Sequence, residues 1–390
     1  MALGTRAFGD GFKVTLLRGL SAEREQWERT LLSSGRALPL PHRSTWAALH
    51  PGSRNDWFLT VADRDGQPSG AAALQVAPSR ALPGHLVVRC ERFGPGMSPD
   101  AQRAALDALV AFAHSQRRVL RLHVETFSIY PPERTALEDH IQKLGFVRVH
   151  PARCYEHTLL LTLEGSEDAI LASLHGTARR HIRAAAKHPV RLQPVEDPAH
   201  FARLDEISRE TYARTGGRYD GTDWSRIVAL SKQDPSASRL VGLYRTDVPG
   251  PAGLLAFAWG CGHGDHVQYS RSGSTRATDL RMPLMYPVIW DLICWARTSG
   301  ARFFDFGGIT LGSHDSDDPL GGISDFKRYF SERVVAVGAE WAFEPRPLQA
   351  YAAKVMSSAA GFLTRAWTRA HRPAPAPAPA GRPRVSTAGA

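Results

Sequence analysis

The chain has 390 residues, of which 43% are hydrophobic and 22% charged, and its formal net charge at pH 7 is +10. These proportions are typical of a folded globular protein and exclude an intrinsically disordered chain. The length predicts two or three domains, and no apolar stretch is long enough to form a transmembrane helix. The excess of positive charge predicts attraction to nucleic acid, to phosphorylated substrates or to an anionic membrane surface.

The cysteines and histidines give no support for a metal site or a disulfide framework. The sixteen histidines show no HExxH spacing, and an aspartate run at 315–318 lacks calcium-loop spacing and predicts a solvated loop. The amino terminus has no apolar signal region, so we expect a cytoplasmic protein with reduced thiols. The four cysteines are far apart and include no CxxC pair: Cys90, Cys154, Cys261 and Cys294.

The first half of the chain predicts an α/β unit. A strand at 12–17 and a helix at 22–32 precede a hairpin whose turn is Arg64-Asp65-Gly66. Apolar residues at helical spacing predict a helix at 101–117. The remaining predicted elements are strands at 85–91 and 119–125, a helix at 133–144 and a strand from 145.

The second half predicts the same order of elements again. Gly70 and Gly253 occupy equivalent places in the two hairpins, at an offset of 183 in the numbering (253 minus 70). His123 and Asp305 occupy equivalent strands, at an offset of 182 (305 minus 123). A nearly constant offset predicts a duplicated α/β domain.

These patterns predict an α/β protein with mixed sheets (α+β) and two tandem domains, at 1–154 and 155–345. A basic amphipathic helix is predicted at 346–371, where Lys354, Arg365 and Arg369 accompany an apolar side. Such a helix either lies on an anionic membrane or packs against its own protein. Residues 372–390 are rich in proline and alanine and predict a disordered tail.

The stretch 301–330 predicts a buried strand that ends in a glycine pair and is followed by a short helix. Burial of Asp305 within apolar neighbours requires hydrogen bonds or a paired charge. Gly307 and Gly308 allow a ligand to approach the backbone closely. The helix carries Phe326 and Lys327. The structural alternative is a core strand followed by a loop and a surface lysine.

Two groups of arginines are candidates for anion binding. A predicted helix at 167–187 places several cations on or near one face, which indicates either a phosphate site or a solvated surface. A second helix ends at Gly216-Gly217, and arginines beside it either bind an anion or favour the helix dipole. The candidates are Arg179, Arg180, Arg183 and Lys187 in the first group, and Arg214, Arg218 and Tyr219 in the second.

Four motifs of the second half resemble the FemABX-like peptidyltransferases, which have two tandem GNAT domains. They are Arg-Arg-x-Ile-Arg at 179–183, Thr-x-x-Arg at 211–214, Tyr-Ser at 269–270, and Asp-Phe-Gly-Gly-Ile at 305–309 followed by Gly-Ile-x-x-Phe-Lys at 322–327. The resemblance covers roughly residues 10–345. It implies transfer of an amino acid from aminoacyl-tRNA to the amino group of a peptidoglycan-precursor stem peptide, without a cofactor or a metal.

The resemblance also implies roles for individual residues. Lys327 is expected to stabilise the developing negative charge at the ester carbonyl, assisted by the backbone amide of Phe326 or Lys327. We also expect Asp305 to be a catalytic residue. We add that the basic helix contacts tRNA or a diphosphate. The expected substrate-binding residues are Arg214, Arg218, Tyr219, Tyr269, Gly307 and Gly308, and the expected phosphate-binding residues are Arg179, Arg180, Arg183 and Lys187.

The chain departs from the family in two places. No heptad run indicates the coiled-coil arm of some members, and residues 215–219 lack the expected acidic-aromatic run. An acyl-CoA-dependent N-acyltransferase acting on an envelope or secondary-metabolite amine is the alternative enzyme, although the glycine-rich CoA pyrophosphate loop is not evident. A non-catalytic RNA- or membrane-binding protein is the third hypothesis. We expect a cytoplasmic monomer that can contact the inner membrane face peripherally, and an acceptor linked to UDP or to a lipid.

Overall fold

A computed structural model of the chain shows two mixed β-sheets with helices on their faces. The structure describes residues 2–8, 11–49, 56–310, 312–313 and 321–356. The predicted loop at 315–318, the helix beyond residue 356 and the tail lie outside these residues. In the described ranges, no helix has the length and apolar character needed to span a membrane.

The described elements follow the order predicted for two α/β units. The first half contains β1 (Ala2–Phe8), β2 (Phe12–Arg18), α1 (Ala22–Ser33), α2 (Ser44–Ala48), β3 (Trp57–Ala62), β4 (Pro68–Pro78), β5 (Leu86–Phe93), α3 (Pro99–Ser115), β6 (Val119–Thr126), α4 (Pro131–Lys143) and β7 (Val147–Arg148). The second half contains β8 (His157–Thr162), α5 (Glu167–Ser173), α6 (Gly176–Ala184), β9 (Val190–Pro194), α7 (Phe201–Arg214), α8 (Trp224–Gln233), β10 (Ser238–Arg245), β11 (Leu254–Gly262), β12 (His266–Ser274), α9 (Met285–Thr298), β13 (Phe303–Gly308), α10 (Gly321–Arg328), β14 (Val334–Ala336), β15 (Glu340–Phe343) and a helix at 347–356, here α11.

Local sequence explains the strongest of these elements. Ser98 caps α3 by accepting a hydrogen bond from the Ala101 amide, and Pro99 occupies the first helical position. Every residue of β11 is buried because helices cover both faces of that strand. α3 packs on the first sheet, whereas α9 and the pair α7–α8 cover opposite faces of the second.

The two sheets have related strand orders. The first is β1-β2-β3-β4-β5-β6-β15-β7 and the second is β14-β8-β13-β12-β11-β10-β9. Asp305 on β13 pairs with Leu160, and His123 on β6 pairs with Ala342. If His123 corresponds to Asp305, and Leu160 to Ala342, both correspondences have the same offset in the numbering, 182 (305 minus 123, and 342 minus 160). The pairing register therefore repeats between the two halves, which supports duplication.

Strand β15 returns to the first sheet from the end of the second half. It inserts between β6 and β7 and pairs with both. The predicted second domain extends to residue 345, yet this strand completes the first sheet, because the edge of β6 would otherwise lack a partner. The domain limits therefore stay a prediction. β15 lies within the predicted second domain in sequence but pairs with strands of the first sheet.

The predicted helix at 167–187 is two helices. α5 ends at Ser173, and His175 begins α6 by accepting a hydrogen bond from the Thr177 amide at 3.2 Å. Leu174 lies between the two helices and its side chain is buried in the core, which holds the chain in place where the helix is interrupted. Lys187 consequently lies in a short 3-10 turn rather than on α6.

Candidate active site

The parallel strands of the second sheet separate before they end. In the described residues, β12 and β13 pair only from His266 to Gln268. The corresponding strands of the first sheet, β5 and β6, stay paired as far as Phe93 and Thr126. The second unit therefore has an opening at the carboxyl ends of its parallel strands, which is where α/β proteins commonly bind ligands.

The glycine pair at the end of β13 shapes this opening. Gly307 has a φ of +69° and lies so close to β12 that an added Cβ would be 3.0 Å from the Tyr269 carbonyl oxygen. A Cβ on Gly308 would be 2.8 Å from the Cβ of Tyr155. Both positions therefore require glycine, one for its conformation and the other for close packing.

Lys327 reaches the same opening from α10. Its side-chain Nζ donates a hydrogen bond of 2.6 Å to the Gly308 carbonyl oxygen, and the residue is only 7% exposed. Burial lowers the pKa of Lys327 from 10.5 to about 8, and nearby Asp305 offsets part of that effect. At neutral pH the group is therefore a desolvated cation beside the backbone of β13.

Phe326 packs away from the opening. Its ring lies 5.1 Å from that of Tyr286 on α9 and 5.6 Å from that of Phe330. Phe326 and Lys327 belong to the last turns of α10, where amides donate to carbonyls within the helix. The Phe326 side chain therefore fixes α10 on α9, and its catalytic role stays a prediction.

Asp305 is fully buried and its carboxylate accepts several hydrogen bonds. The Tyr155 hydroxyl donates to it at 2.7 Å, the Gly307 amide donates at 2.7 Å, and the Thr158 hydroxyl donates as well. Arg92 of the first sheet pairs with it at 3.5 Å. This geometry is that of a positioning residue that holds the Gly307 turn, while the predicted catalytic role of Asp305 stays a prediction.

Arg92, which was not among the residues predicted from the sequence, connects the first unit to this carboxylate. It donates to His266 at 2.7 Å and to Gln268 at 2.9 Å, and its guanidinium lies 3.9 Å from the centre of the Phe127 ring. Burial opposes its charge, but Tyr155 and Asp305 together raise the pKa of Arg92 above its ordinary value. No sequence motif marked this pairing, since its partners lie far away in the chain.

Tyr269 belongs to β12, and Arg214 reaches the end of that strand from α7. Both terminal nitrogens of Arg214 lie 3.4 Å from the Ser274 carbonyl oxygen, and burial, followed by the nearby Arg276, lowers the pKa of Arg214. Tyr269 donates its hydroxyl to Ser272, and burial raises the pKa of Tyr269 to about 12. Two adjacent guanidinium groups favour an anion between them.

Arg218 and Tyr219 follow the end of α7, which terminates near Gly216 as predicted. The exposed Arg218 pairs with Asp220 at 2.6 Å, and the Tyr219 hydroxyl donates to Asp205. These contacts order the loop after α7. Binding of substrate by either residue stays a prediction.

The predicted basic helix divides into one structural arginine and three exposed cations. Arg179 donates to the carbonyl oxygens of Ala172 and Leu174 and thereby caps α5. The His181 ring lies 4.9 Å from that of Tyr286, which also contacts Phe326. α6 is thus one aromatic layer from the helix of Lys327. Its exposed cations are Arg180 and Arg183, and the exposed Lys187 lies in the 3-10 turn that follows.

The described residues contain no group of three or more His, Cys, Asp or Glu side chains placed to hold a metal ion. All four cysteines are free thiols in the structure. Burial raises the pKa of Cys261 to about 12, which keeps that thiol protonated and unreactive at neutral pH.

Residues 172–328 match the family described as "Acetyltransferase (GNAT) domain". This range contains the opening between β12 and β13, the glycine pair and Lys327. The second unit is therefore a GNAT acyltransferase domain. No curated protein matches the sequence.

Two solved structures share the fold of nearly the whole chain. The structure of FemX has a TM-score of 0.67 and 14% identity, and the match covers 83% of this chain and 97% of FemX. The structure of L-PGS from Bacillus licheniformis has a TM-score of 0.51 and 14% identity, over 87% of this chain and 98% of L-PGS. The FemABX-like fold predicted from the sequence is confirmed.

Proposed function

We propose that this acyltransferase moves an amino acid from aminoacyl-tRNA to the amino group of a peptidoglycan-precursor stem peptide. The observation that carries the proposal is the buried ammonium group of Lys327 at the opening between β12 and β13. The similarity of the tandem fold to FemX supports the choice of donor and acceptor. We place the protein in the cytoplasm as a monomer.

The proposed reaction needs no covalent enzyme intermediate. The acceptor amine attacks the ester carbonyl carbon, a C–N bond forms, and the C–O bond to the tRNA ribose breaks. The amine loses a proton, and the departing ribose oxygen gains one. The Lys327 ammonium stabilises the oxyanion formed during the attack, and the site accelerates transfer by holding amine and ester together.

The tRNA is proposed to approach over α6. Arg180, Arg183 and Lys187 are exposed on this surface, and phosphate contacts of this kind position a nucleic acid without reading its sequence. The Tyr286 ring packs between His181 of α6 and Phe326 of α10, so α6 is a neighbour of the helix that carries Lys327. The acceptor phosphates are assigned to Arg214, with Arg276 beside it.

An acyl-CoA-dependent N-acyltransferase is the second candidate. The family match to an acetyltransferase domain over residues 172–328 favours it. The loop at 275–284, between β12 and α9, contains no glycine, whereas a glycine-rich loop is the usual cradle for a pyrophosphate at a helix start. For this reason tRNA remains the proposed donor.

The two donors are distinguished by a transfer assay with the purified full chain and a pentapeptide precursor. One arm contains radiolabelled aminoacyl-tRNAs, and the other contains radiolabelled acyl-CoAs. We expect label on the precursor from the tRNA arm alone, abolished by ribonuclease. Transfer from the CoA arm alone would replace the proposal by the second candidate, and tRNA binding without product would indicate a non-catalytic protein.

The Lys327→Met variant tests the role of the lysine in the same assay. Methionine keeps the length of the side chain but removes its charge. We expect the rate to fall about 100-fold or more, as for the loss of an oxyanion donor, with tRNA affinity unchanged. A variant as active as the wild type would remove Lys327 from the mechanism.

A further inference from the structure

Helix α11 faces its own protein with its smallest side chains. Ala350 and Ala353 are buried, 1% and 4% exposed, and belong to a small cluster with Leu120. Leu348, Tyr351 and Val355 are 87%, 69% and 50% exposed. A helix that only covers a sheet turns its large apolar residues inward, so the outward face of α11 is suited to an apolar environment outside the chain.

The position of α11 does not depend on that apolar face. Arg346, immediately before the helix, donates to the carbonyl oxygens of Ala113, Gln116 and Val119 through one terminal nitrogen. The other terminal nitrogen donates to the His114 carbonyl oxygen at 2.8 Å. These bonds satisfy carbonyls at the end of α3 and at the start of β6 and fix the start of α11, leaving its large side chains available.

A groove of about 1220 Å³ lies beneath α11, at the amino-terminal ends of β5 and β6. It is therefore separate from the candidate active site, which lies at the carboxyl ends of β12 and β13. Among the described residues of its lining, one is acidic, Glu344, and it pairs with Arg121. The basic residues of the lining are Arg80, Arg89, Arg121, His150, Arg153 and Lys354.

We propose that α11 and this groove, together the α11 surface, dock the protein on an anionic phospholipid membrane. The apolar side chains enter the boundary between headgroups and acyl chains, as in interfacial helices, while the groove arginines bind lipid phosphates. The apolar face and the basic groove together favour a membrane over RNA, because RNA offers phosphates but no apolar phase. The sequence continues in the same character after residue 356, with Phe362, Arg365 and Trp367.

The test is co-sedimentation of the full chain with vesicles of phosphatidylcholine alone or with added phosphatidylglycerol. We expect binding only to the anionic vesicles, weakened at least tenfold by the apolar-face variant Leu348→Ser/Tyr351→Ser/Val355→Ser. The groove variant Arg80→Gln/Arg89→Gln/Arg153→Gln removes three cations and should weaken partition by about 100-fold. Circular dichroism and thermal unfolding verify that each variant is folded.

Two control variants remove exposed apolar side chains or exposed cations elsewhere on the surface. Leu20→Ser/Leu32→Ser replaces exposed apolar residues, and Arg6→Gln/Arg29→Gln/Arg209→Gln removes three exposed cations; both should bind like the wild type. Equal binding to neutral and anionic vesicles, or groove variants that match their controls, would overturn the proposal. So would a dimer that the apolar-face variant dissociates, or tRNA binding that depends on the groove.

Discussion

Lys327 illustrates at the scale of one residue how a charged group is buried at a cost in stability. Its ammonium is almost completely buried and donates to the Gly308 carbonyl. Burial of a cation is unfavourable unless it is well paired. The structure therefore holds a buried charge at a cost in free energy, and ionisable groups perturbed in this way are concentrated at functional sites.

The first prediction concerns this cost. Because the pKa of Lys327 falls from 10.5 to about 8 on folding, the unfolded chain binds more protons between those values, and stability rises with pH across that window. Below pH 8 the lysine is charged in the folded protein, so the full free-energy cost of burying that charge is present. We expect Lys327→Met to raise the free energy of unfolding at pH 7 by about 2 kcal/mol, measured by urea unfolding, and the gain to vanish above about pH 10.5.

The control for this prediction is Lys232→Met, a change at an exposed lysine on α8. We expect it to alter stability by less than about 0.5 kcal/mol at either pH. If Lys327→Met destabilised the protein at pH 7, the hydrogen bond to Gly308 would outweigh the cost of burying the charge, and the first prediction would be wrong.

The second prediction is the pH dependence of transfer. A cationic role requires the protonated lysine, so the rate should fall as the pH rises through about 8. Lys327→Arg keeps a charge that is not lost in this range, and its slower reaction should lack the descending limb. Steady-state rates from pH 6 to 10 give the pH profile of each protein. The same decrease in rate at high pH in both proteins would assign the titration to a group other than Lys327.

At the scale of secondary structure, the end of β13 depends on contacts from several distant elements. The carboxylate of Asp305 holds the Gly307 amide two residues later, while Tyr155, Thr158 and Arg92 approach from other segments. The turn that leads to Gly308 is thus fixed by a buried polar network. Such networks are most rigid when every member is paired, and here the buried Nε of Arg92 has no hydrogen-bond partner among the described residues.

The third prediction tests that network. Asp305→Ala leaves the buried Arg92 guanidinium without its carboxylate, so we expect a loss of about 3–5 kcal/mol in the free energy of unfolding. Asp291→Ala breaks the partly exposed pair with Arg239 and should cost about 1 kcal/mol or less. Denaturant unfolding compares the two, and equal losses would show that the Arg92 pair has no special role.

At the scale of the whole molecule, the two units share one architecture but differ at the equivalent strand ends. β5 and β6 stay paired, and Arg92 crosses from the first unit to Asp305 of the second. β12 and β13 separate and leave an opening. The first unit thus supports the site, the second contains it, and α6 lies beside it through Tyr286.

The fourth prediction tests the proposed tRNA surface of the whole protein. Arg180→Gln/Arg183→Gln/Lys187→Gln should weaken tRNA binding and reduce the slope of log affinity against log salt by about 2, as expected for three lost phosphate contacts. The control Arg6→Gln/Arg29→Gln/Arg209→Gln removes the same charge. Filter binding at several salt concentrations measures the slopes, and equal slopes for both variants would contradict the assignment.

The sequence alone was sufficient for features that depend on neighbouring residues. The hairpin at Gly66, the buried strand β13, the glycine pair and the end of α7 follow local patterns of burial and turn chemistry. The duplication was visible because the same local patterns recur at a fixed offset. Family motifs then indicated the tandem GNAT fold and singled out Lys327.

Only the tertiary structure decided features that join distant segments. Arg92 meets Asp305 from a remote part of the chain, and β15 completes the first sheet instead of the second. The break between α5 and α6 depends on the burial of Leu174. The orientation of α11 depends on Arg346, which donates hydrogen bonds to carbonyl oxygens at the end of α3. Such contacts are set by which strand edges and buried charges remain to be paired once the cores have formed, and no local pattern encodes that choice.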